Sequence, residues 1–295
     1  MTSGEPLKQT SKQKTSSCEL LSATGKRRAR IFDSKDALSI TSGSGRSAER
    51  VLWCRHELKY LISAAKAAAI VEFIRPYVRL DRYCLSQPSD AYPVVSLYLD
   101  SEDLWLCRES LTGQKNRFKL RIRSYTDALD YPRFFEVKRR ITAIIVKSRT
   151  RVFHHNVAGL LSGMPVPPQG SDAEDESLLQ FILYMHRVNA KPVLRTRYLR
   201  QAFEGVVDKR VRVTLDRNLC YKVTPSADLQ FDGSGWQRMY QSRVILEIKF
   251  TGQYPPWLSR MVVGLNLRQQ PLSKYASSVK KACSLGFCGL KIRTY

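Results

Sequence analysis

The sequence predicts an α+β fold in which eight antiparallel strands can close into a barrel or tunnel, with helices flanking them. Three observations carry that expectation. Eight segments from Arg55 onward alternate apolar and polar residues with the period of two that an extended chain imposes. Several are joined by short links, which favour antiparallel meanders. Stretches with helical periodicity fill the longer gaps.

In chain order the strands are RHELKYLI near 55–62, VVSLYLD near 94–100, RFKLRIRSY near 117–125 and RFFEVKRR near 133–140. IIVKSRTRV near 144–152, VLRTRYLRQAF near 193–203, KRVRVTLDRNL near 209–219 and RVILEIKF near 243–250 complete the set. Ser63 is placed to open an Ala-rich helix running to about Tyr77, and EDLWLCRESL and DESLLQFILYMHRV read as two more. PPWLSRMVVGLNL, with prolines where a first turn tolerates them, and SKYASSVKKACSL close the chain as helices. Gly163–Ser177 reads as a loop.

The strands repeat one pattern. Lys119, Arg121 and Arg123 share one face of the third strand while Phe118, Leu120 and Ile122 take the other. Glu57 and Lys59 share a face of the first strand, Glu136, Lys138 and Arg140 of the fourth, and Lys147, Arg149 and Arg151 of the fifth. The sixth supplies Arg195 and Arg197, the seventh Arg210 and Arg212, the eighth Glu247 and Lys249. A solvated sheet face intersperses both signs, whereas here cations recur on seven of eight strands. Closed into a tunnel, such faces converge. At an effective dielectric near 20, two charges about 6 Å apart repel by roughly 3 kcal/mol, so an empty interior of this kind is strained and a polyanion would relieve it.

Composition agrees with a polyanionic partner. The chain carries 49 Lys and Arg against 26 Asp and Glu, a formal charge of +23. Residues 1–49, rich in Ser, Thr, Gly, Lys and Arg and ending near the linker-like TSGSG, read as a mostly disordered tail with nine cations and five acids. By subtraction 50–295, the folded part, holds 40 cations and 21 acids, so the excess belongs to it. With 43% hydrophobic residues the core is substantial.

No run of about eighteen apolar residues appears, and the start lacks a secretory apolar region, so a soluble cytoplasmic protein without a membrane anchor is expected. A membrane-assembly partner stays open. Seven scattered cysteines with no CxxC pair read as thiols rather than a zinc or disulfide framework. His56, His154, His155 and His186 form no metal motif.

ELKY, the paired arginines of RIRSY, FEVKRR, LRTRYLRQAF, RVTLD, LEIKF and LSKY, in this order, resemble the VTC-type polyphosphate polymerase domain of the triphosphate tunnel metalloenzyme (CYTH-like) superfamily. The resemblance covers roughly residues 50–285. It implies an eight-stranded antiparallel tunnel that binds ATP and a divalent metal, Mn2+ or Mg2+, and adds the terminal phosphoryl group of ATP to inorganic polyphosphate. Position by position it implies catalytic Lys59, Arg121, Arg123, Lys138, Arg195 and Lys249, with Lys147, Arg108, Ser273 and Lys274 as further phosphate contacts. Arg212 joins these from the strand pattern. Glu247 matches the metal-binding glutamate; read from spacing alone it serves equally as an internal salt bridge. Two positions depart from the family: Pro271 stands where it has the first lysine of KxSK, and Arg140, also counted as a phosphate contact, stands where it often has histidine.

The chemistry is coherent beside the resemblance. Phosphoryl transfer needs aligned phosphates and stabilised charge rather than a covalent partner, and an ionised phosphate oxygen needs no general base. A triphosphatase of the same fold remains an alternative, separated by whether water or polyphosphate accepts the phosphoryl group. A non-catalytic module binding polyphosphate or RNA is the third reading. RNA recognition is not expected, because RFKLRIRSY and RVRVTL lack a dense set of stacking aromatics.

Overall fold

The computed structural model describes residues 55–142, 144–165 and 171–286. The tail expected at 1–49 lies outside them. In order along the chain run β1 (Arg55–Ser63), α1 (Ala64–Ile74), β2 (Val78–Leu80), α2 (Arg82–Leu85), β3 (Tyr92–Asp100), α3 (Trp105–Leu111), β4 (Arg117–Ser124), β5 (Arg133–Ile141) and β6 (Ile144–Val152). They are followed by α4 (His154–Leu161), α5 (Asp172–Arg187), β7 (Lys191–Gly205), β8 (Arg212–Val223), β9 (Gln237–Arg238), β10 (Arg243–Thr251), α6 (Pro256–Gly264) and α7 (Lys274–Ser284). The fold is α+β, as expected, and all eight anticipated strands form.

These eight pair antiparallel in the order β1-β10-β8-β7-β3-β4-β5-β6, with β2 added to β7 and β9 to β8. The sheet curls. Lys138 on β5 donates to Glu57 on β1 at 3.0 Å, although five strands lie between these two in the sheet order. Among the described residues no ladder joins β1 to β6, so the sheet is a half-barrel whose two ends approach each other through side chains.

Alternation then sorts the side chains. On the outer face, Tyr60, Ile62, Leu246, Ile248, Val213 and Leu215 pack against Ile70 and Ile74 of α1 and Leu258 and Met261 of α6. Leu97, Leu120, Ile122, Phe135 and Val137 pack against Phe181 and Met185 of α5 and Leu160 of α4. A third core occupies part of the inner face, where Tyr98, Leu194, Tyr198 and Ile245 meet Tyr275, Ala276 and Val279 of α7 and Cys107 of α3. Helix α7 thus fills part of the hollow, and the remaining inner face is charged.

Caps explain several boundaries. The Ser63, Ser171 and Ser273 hydroxyls accept from the N–H groups of Lys66, Glu174 and Ala276, three residues on in each case. Asp172, Glu174 and Asp175 favour the first turn of α5, so helix replaces the latter part of the loop expected at 163–177. Helix α4 was not anticipated, since Phe153 supplies no side-chain cap. Cys84, Cys107 and Cys220 are free thiols, whereas Cys283 on α7 is disulfide-bonded, against expectation.

Candidate active site

The inner faces of β1, β10, β4 and β5 supply a cleft of cations. Because Lys59 lies opposite Glu247 and Glu57 opposite Lys249, the β1/β10 pair presents two lysines and two glutamates side by side. Across the hollow β4 presents Lys119, Arg121 and Arg123, and β5 presents Glu136 and Lys138. Strand β7 adds Arg200, and the first turn of α7 adds Lys274. A cavity of about 120 Å³ lies among Glu57, Lys59, Lys119, Arg121, Arg123, Lys138, Arg200, Glu247, Lys249 and Lys274, with Tyr98, Tyr198 and Tyr275 also in its wall. That is eight cations against two carboxylates.

A network of ion pairs holds the wall. Lys249 approaches one oxygen of Glu247 at 2.5 Å, and Lys59 lies 3.9 Å from the other. Glu57 is shared by Lys59 at 2.8 Å and Lys138 at 3.0 Å. Behind the cavity, buried Glu136 accepts from Arg121 at 2.6 Å and pairs with Lys147 at 2.6 Å. Buried Asp216 accepts two bonds from Arg200, at 2.7 and 2.8 Å, and pairs with Lys274 at 2.6 Å. Burial and Glu247 push the Glu57 carboxyl up, but Lys59, Lys138 and Lys249 outweigh them and bring it to about 2. Burial likewise opposes ionisation of Glu247, and Lys249 and Lys59 overcome it, leaving the group well below the usual range.

The cations are not all answered. Lys119 donates to Ser273 Oγ at 2.8 Å. Burial first, and then Lys59, Lys138 and Arg117, bring its ammonium down to about 7. Lys147 falls to about 8 through burial, although Glu136 pulls the other way. An empty cleft therefore holds positive charge under strain.

The mouth is fixed by α7. Tyr275 donates to Asp100 at 2.5 Å and stacks on Tyr98, while Asp100 also accepts from the N–H groups of Leu106 and Cys107 at the start of α3. Ser273 and Lys274 are thereby set at the cavity with the positive end of the helix behind them.

The model of the VTC domain matches residues 54–283. The chain belongs to the VTC domain family. That membership supports a polyphosphate-related tunnel enzyme of phosphotransfer type. No curated protein matches the chain. Among solved structures it is similar to a candidate adenylate cyclase from Bacillus halodurans, with 13% identity and a TM-score of 0.42 over 75% of this chain and 95% of that one.

Eight of the thirteen residues expected at the site of this VTC domain line the cavity: Lys59, Arg121, Arg123, Lys138, Glu247, Lys249, Ser273 and Lys274. Lys147 stands one strand beyond, on Glu136. Arg212 faces inward beside Lys249 but is held by Asp81 at 2.7 Å and Glu204 at 2.8 Å. Arg140 is exposed at the end of β5, donating to Thr142 O at 2.9 Å. Arg108 is exposed on α3 and pairs with Asp103.

Arg195 stands apart from the cavity. Opposite Leu97, it shares the outer face of the sheet, where it is buried against Asp228 at 2.6 Å and Trp236, 5.4 Å from the ring centroid. Arg197 follows it, 4.6 Å from the same ring. Strand β7 carries cations on both faces, and the inward one is Arg200, opposite Tyr92. The inward set Leu194, Thr196 and Tyr198 is apolar enough to pass for a core face, and part of it is core because α7 packs there. Arg210 likewise lies in the turn before β8, paired with Asp208. Glu57 and Lys119 carried an alternation signal and stand in the cavity; Arg200 and Asp216 needed the register.

Among the described residues no group of three or more His, Cys, Asp or Glu side chains is arranged to hold a metal. Glu247 and Glu57, both ionised and both in the cavity wall, are hard oxygen donors of the kind Mg2+ and Mn2+ accept. They fit a cation bound jointly with phosphate oxygens, not a cage made by protein alone. No described helix is long and apolar enough to cross a membrane.

Proposed function

We propose that this VTC domain transfers the γ-phosphoryl group of ATP to the end of an inorganic polyphosphate chain, in a reaction dependent on Mn2+ or Mg2+. The observation that carries the reading is the composition of the cleft: eight cations and two ionised carboxylates converge on one cavity. No histidine lines it. Such a wall suits a reaction whose difficulty lies in assembling and stabilising phosphates.

The residues divide the work by chemistry. Arg121, Arg123 and Arg200 are rigid forks suited to two-point contact with phosphate oxygens; Glu136 fixes Arg121 and Asp216 fixes Arg200 from behind, while Arg123 donates to Ser96 Oγ at 3.1 Å. Lys59, Lys119, Lys138, Lys249 and Lys274 act as mobile point charges. Glu57 and Glu247, the present partners of Lys59, Lys138 and Lys249, become available to a divalent cation when those ammonium groups turn to phosphate. When bound, the cation would neutralise charge on the phosphates being exchanged. Transfer breaks the bond between the γ-phosphorus and the β–γ bridging oxygen and forms one from that phosphorus to the terminal polyphosphate oxygen. ADP leaves. The attacking oxygen is already ionised near neutral pH, so the cleft has no proton to remove.

The deciding experiment incubates the purified protein with ATP and Mn2+ and resolves the products by gel and phosphorus NMR. ADP accompanied by a ladder of polyphosphate is expected. Orthophosphate released in step with ADP, with no chains, would replace the polymerase by a triphosphatase.

A further inference from the structure

The charged rungs of the sheet continue past the cavity. The register of β4 and β5 places Lys119 opposite Lys138 and, one rung further out, Arg117 opposite Arg140. Lys138 in turn faces Lys147 on β6. Like charges directly opposite one another destabilise a sheet. The rung on the other side shows the usual remedy, since Glu136 lies between Arg121 and Arg149 and neutralises both.

The outer rung has no such remedy. Lys138 is met by Glu57 and Lys147 by Glu136. Arg117 and Arg140 form no ion pair among the described residues: the first donates to Gln114 O, the second to Thr142 O. Burial first, and then Arg140, press against the charge on Arg117, and Glu109 of α3 only partly offsets them. Both side chains fall on the same face as Lys119 and Lys138. Neither lines the cavity itself.

We propose that Arg117 and Arg140 form a second anion subsite, just outside the cleft, which holds the phosphates of a linear inorganic polyphosphate beyond the triphosphate length held by Lys119 and Lys138. Rungs on one face are about 7 Å apart, at two residues of about 3.4 Å each. An extended polyanion lying along β4 therefore meets a cation pair at one rung after another, whereas a short one is satisfied within the cavity. The subsite makes chain length, rather than charge alone, the recognised property. It rests on the reading of the cleft as a triphosphate site.

The test compares binding of tripolyphosphate, a longer polyphosphate and single-stranded RNA at one fixed ionic strength, metal omitted, by calorimetry. The proteins are wild type, the exposed single variant Arg140→Gln, and the double variant Arg117→Gln/Arg140→Gln. The double variant is expected to lose about tenfold or more in affinity for the longer polyphosphate, the scale of losing a charge-assisted contact, and less than about twofold for tripolyphosphate. Arg140→Gln alone should show a smaller loss with the same selectivity, which keeps the test intact if the double variant folds poorly. The empty double variant should melt no lower than wild type, because two facing like charges have been removed. Equal losses for both polyphosphates, or none for either, would overturn the subsite and leave the cleft standing. A loss for RNA as large as that for polyphosphate would make the rung a general polyanion surface. Failure of wild type to bind tripolyphosphate at all would instead overturn the cleft reading, and this one with it.

Discussion

Lys119 shows what a single residue in this cleft is asked to do. In the empty protein its ammonium sits near 7, through burial and three neighbouring cations, against about 10.5 for a free side chain. Between those two values the unfolded chain binds the proton and the folded one does not, so this group's contribution to stability rises with pH from about 7 upward. A bound polyanion reverses the local field and restores the proton. Binding of tripolyphosphate near pH 8 should therefore take up protons, seen as a calorimetric heat that varies with the ionisation enthalpy of the buffer. Lys147, brought to about 8, should contribute a smaller share, and Lys119→Gln should remove the larger one. A heat independent of buffer would show that Lys119 is fully charged in the empty cleft. The residue was legible from its place in RFKLRIRSY. Its lack of a carboxylate was not, because that depends on which strands face it across the hollow.

At the level of elements, β7 separates what alternation can tell from what it cannot. A strand with cations on both faces gives no parity signal, and the inward face here is part core and part cleft. Arg195 and Arg200 consequently make opposite expectations. Arg195→Ala should cost about 2 kcal/mol of stability by breaking a charged bond to Asp228, with little effect on tripolyphosphate affinity. Arg200→Ala should weaken tripolyphosphate binding about tenfold or more. Chemical denaturation and calorimetry on the two variants read both quantities; a loss of affinity confined to Arg195→Ala would return that residue to the site. Elsewhere the long strands were legible because their apolar faces are regular. The three-residue β2 and two-residue β9 were not, since each exists only by pairing with β7 or β8. Helix α7 was legible as a helix through Ser273, yet nothing in its own pattern says that it enters the sheet's hollow.

For the whole molecule, the strain of an empty cationic cleft should appear as stabilisation by the right anion. A ligand at about 100 times its dissociation constant adds roughly 2.7 kcal/mol. For a protein of this size that corresponds to about 2 to 4 °C per kcal/mol, so tripolyphosphate should raise the melting temperature by about 5 °C or more. Sulfate at matched ionic strength should do much less, because it cannot span several side chains. Equal shifts would mean that the eight cations do not act on one ligand. Convergence of the basic faces was foreseeable from their recurrence along the sequence; the open seam was not, because the closing contact is an ion pair and leaves no periodic trace. The same sheet order also sets a timetable. Residues 55–63 find their ladder partner only in residues 243–251, near the other end of the chain. During synthesis the first strand must therefore wait, unpaired along its edge, until nearly the whole domain has been made, and loop closure over so long a stretch is slow. The charged residues Glu57 and Lys59 lie on that waiting edge, where they discourage pairing with the wrong strand until the right one arrives.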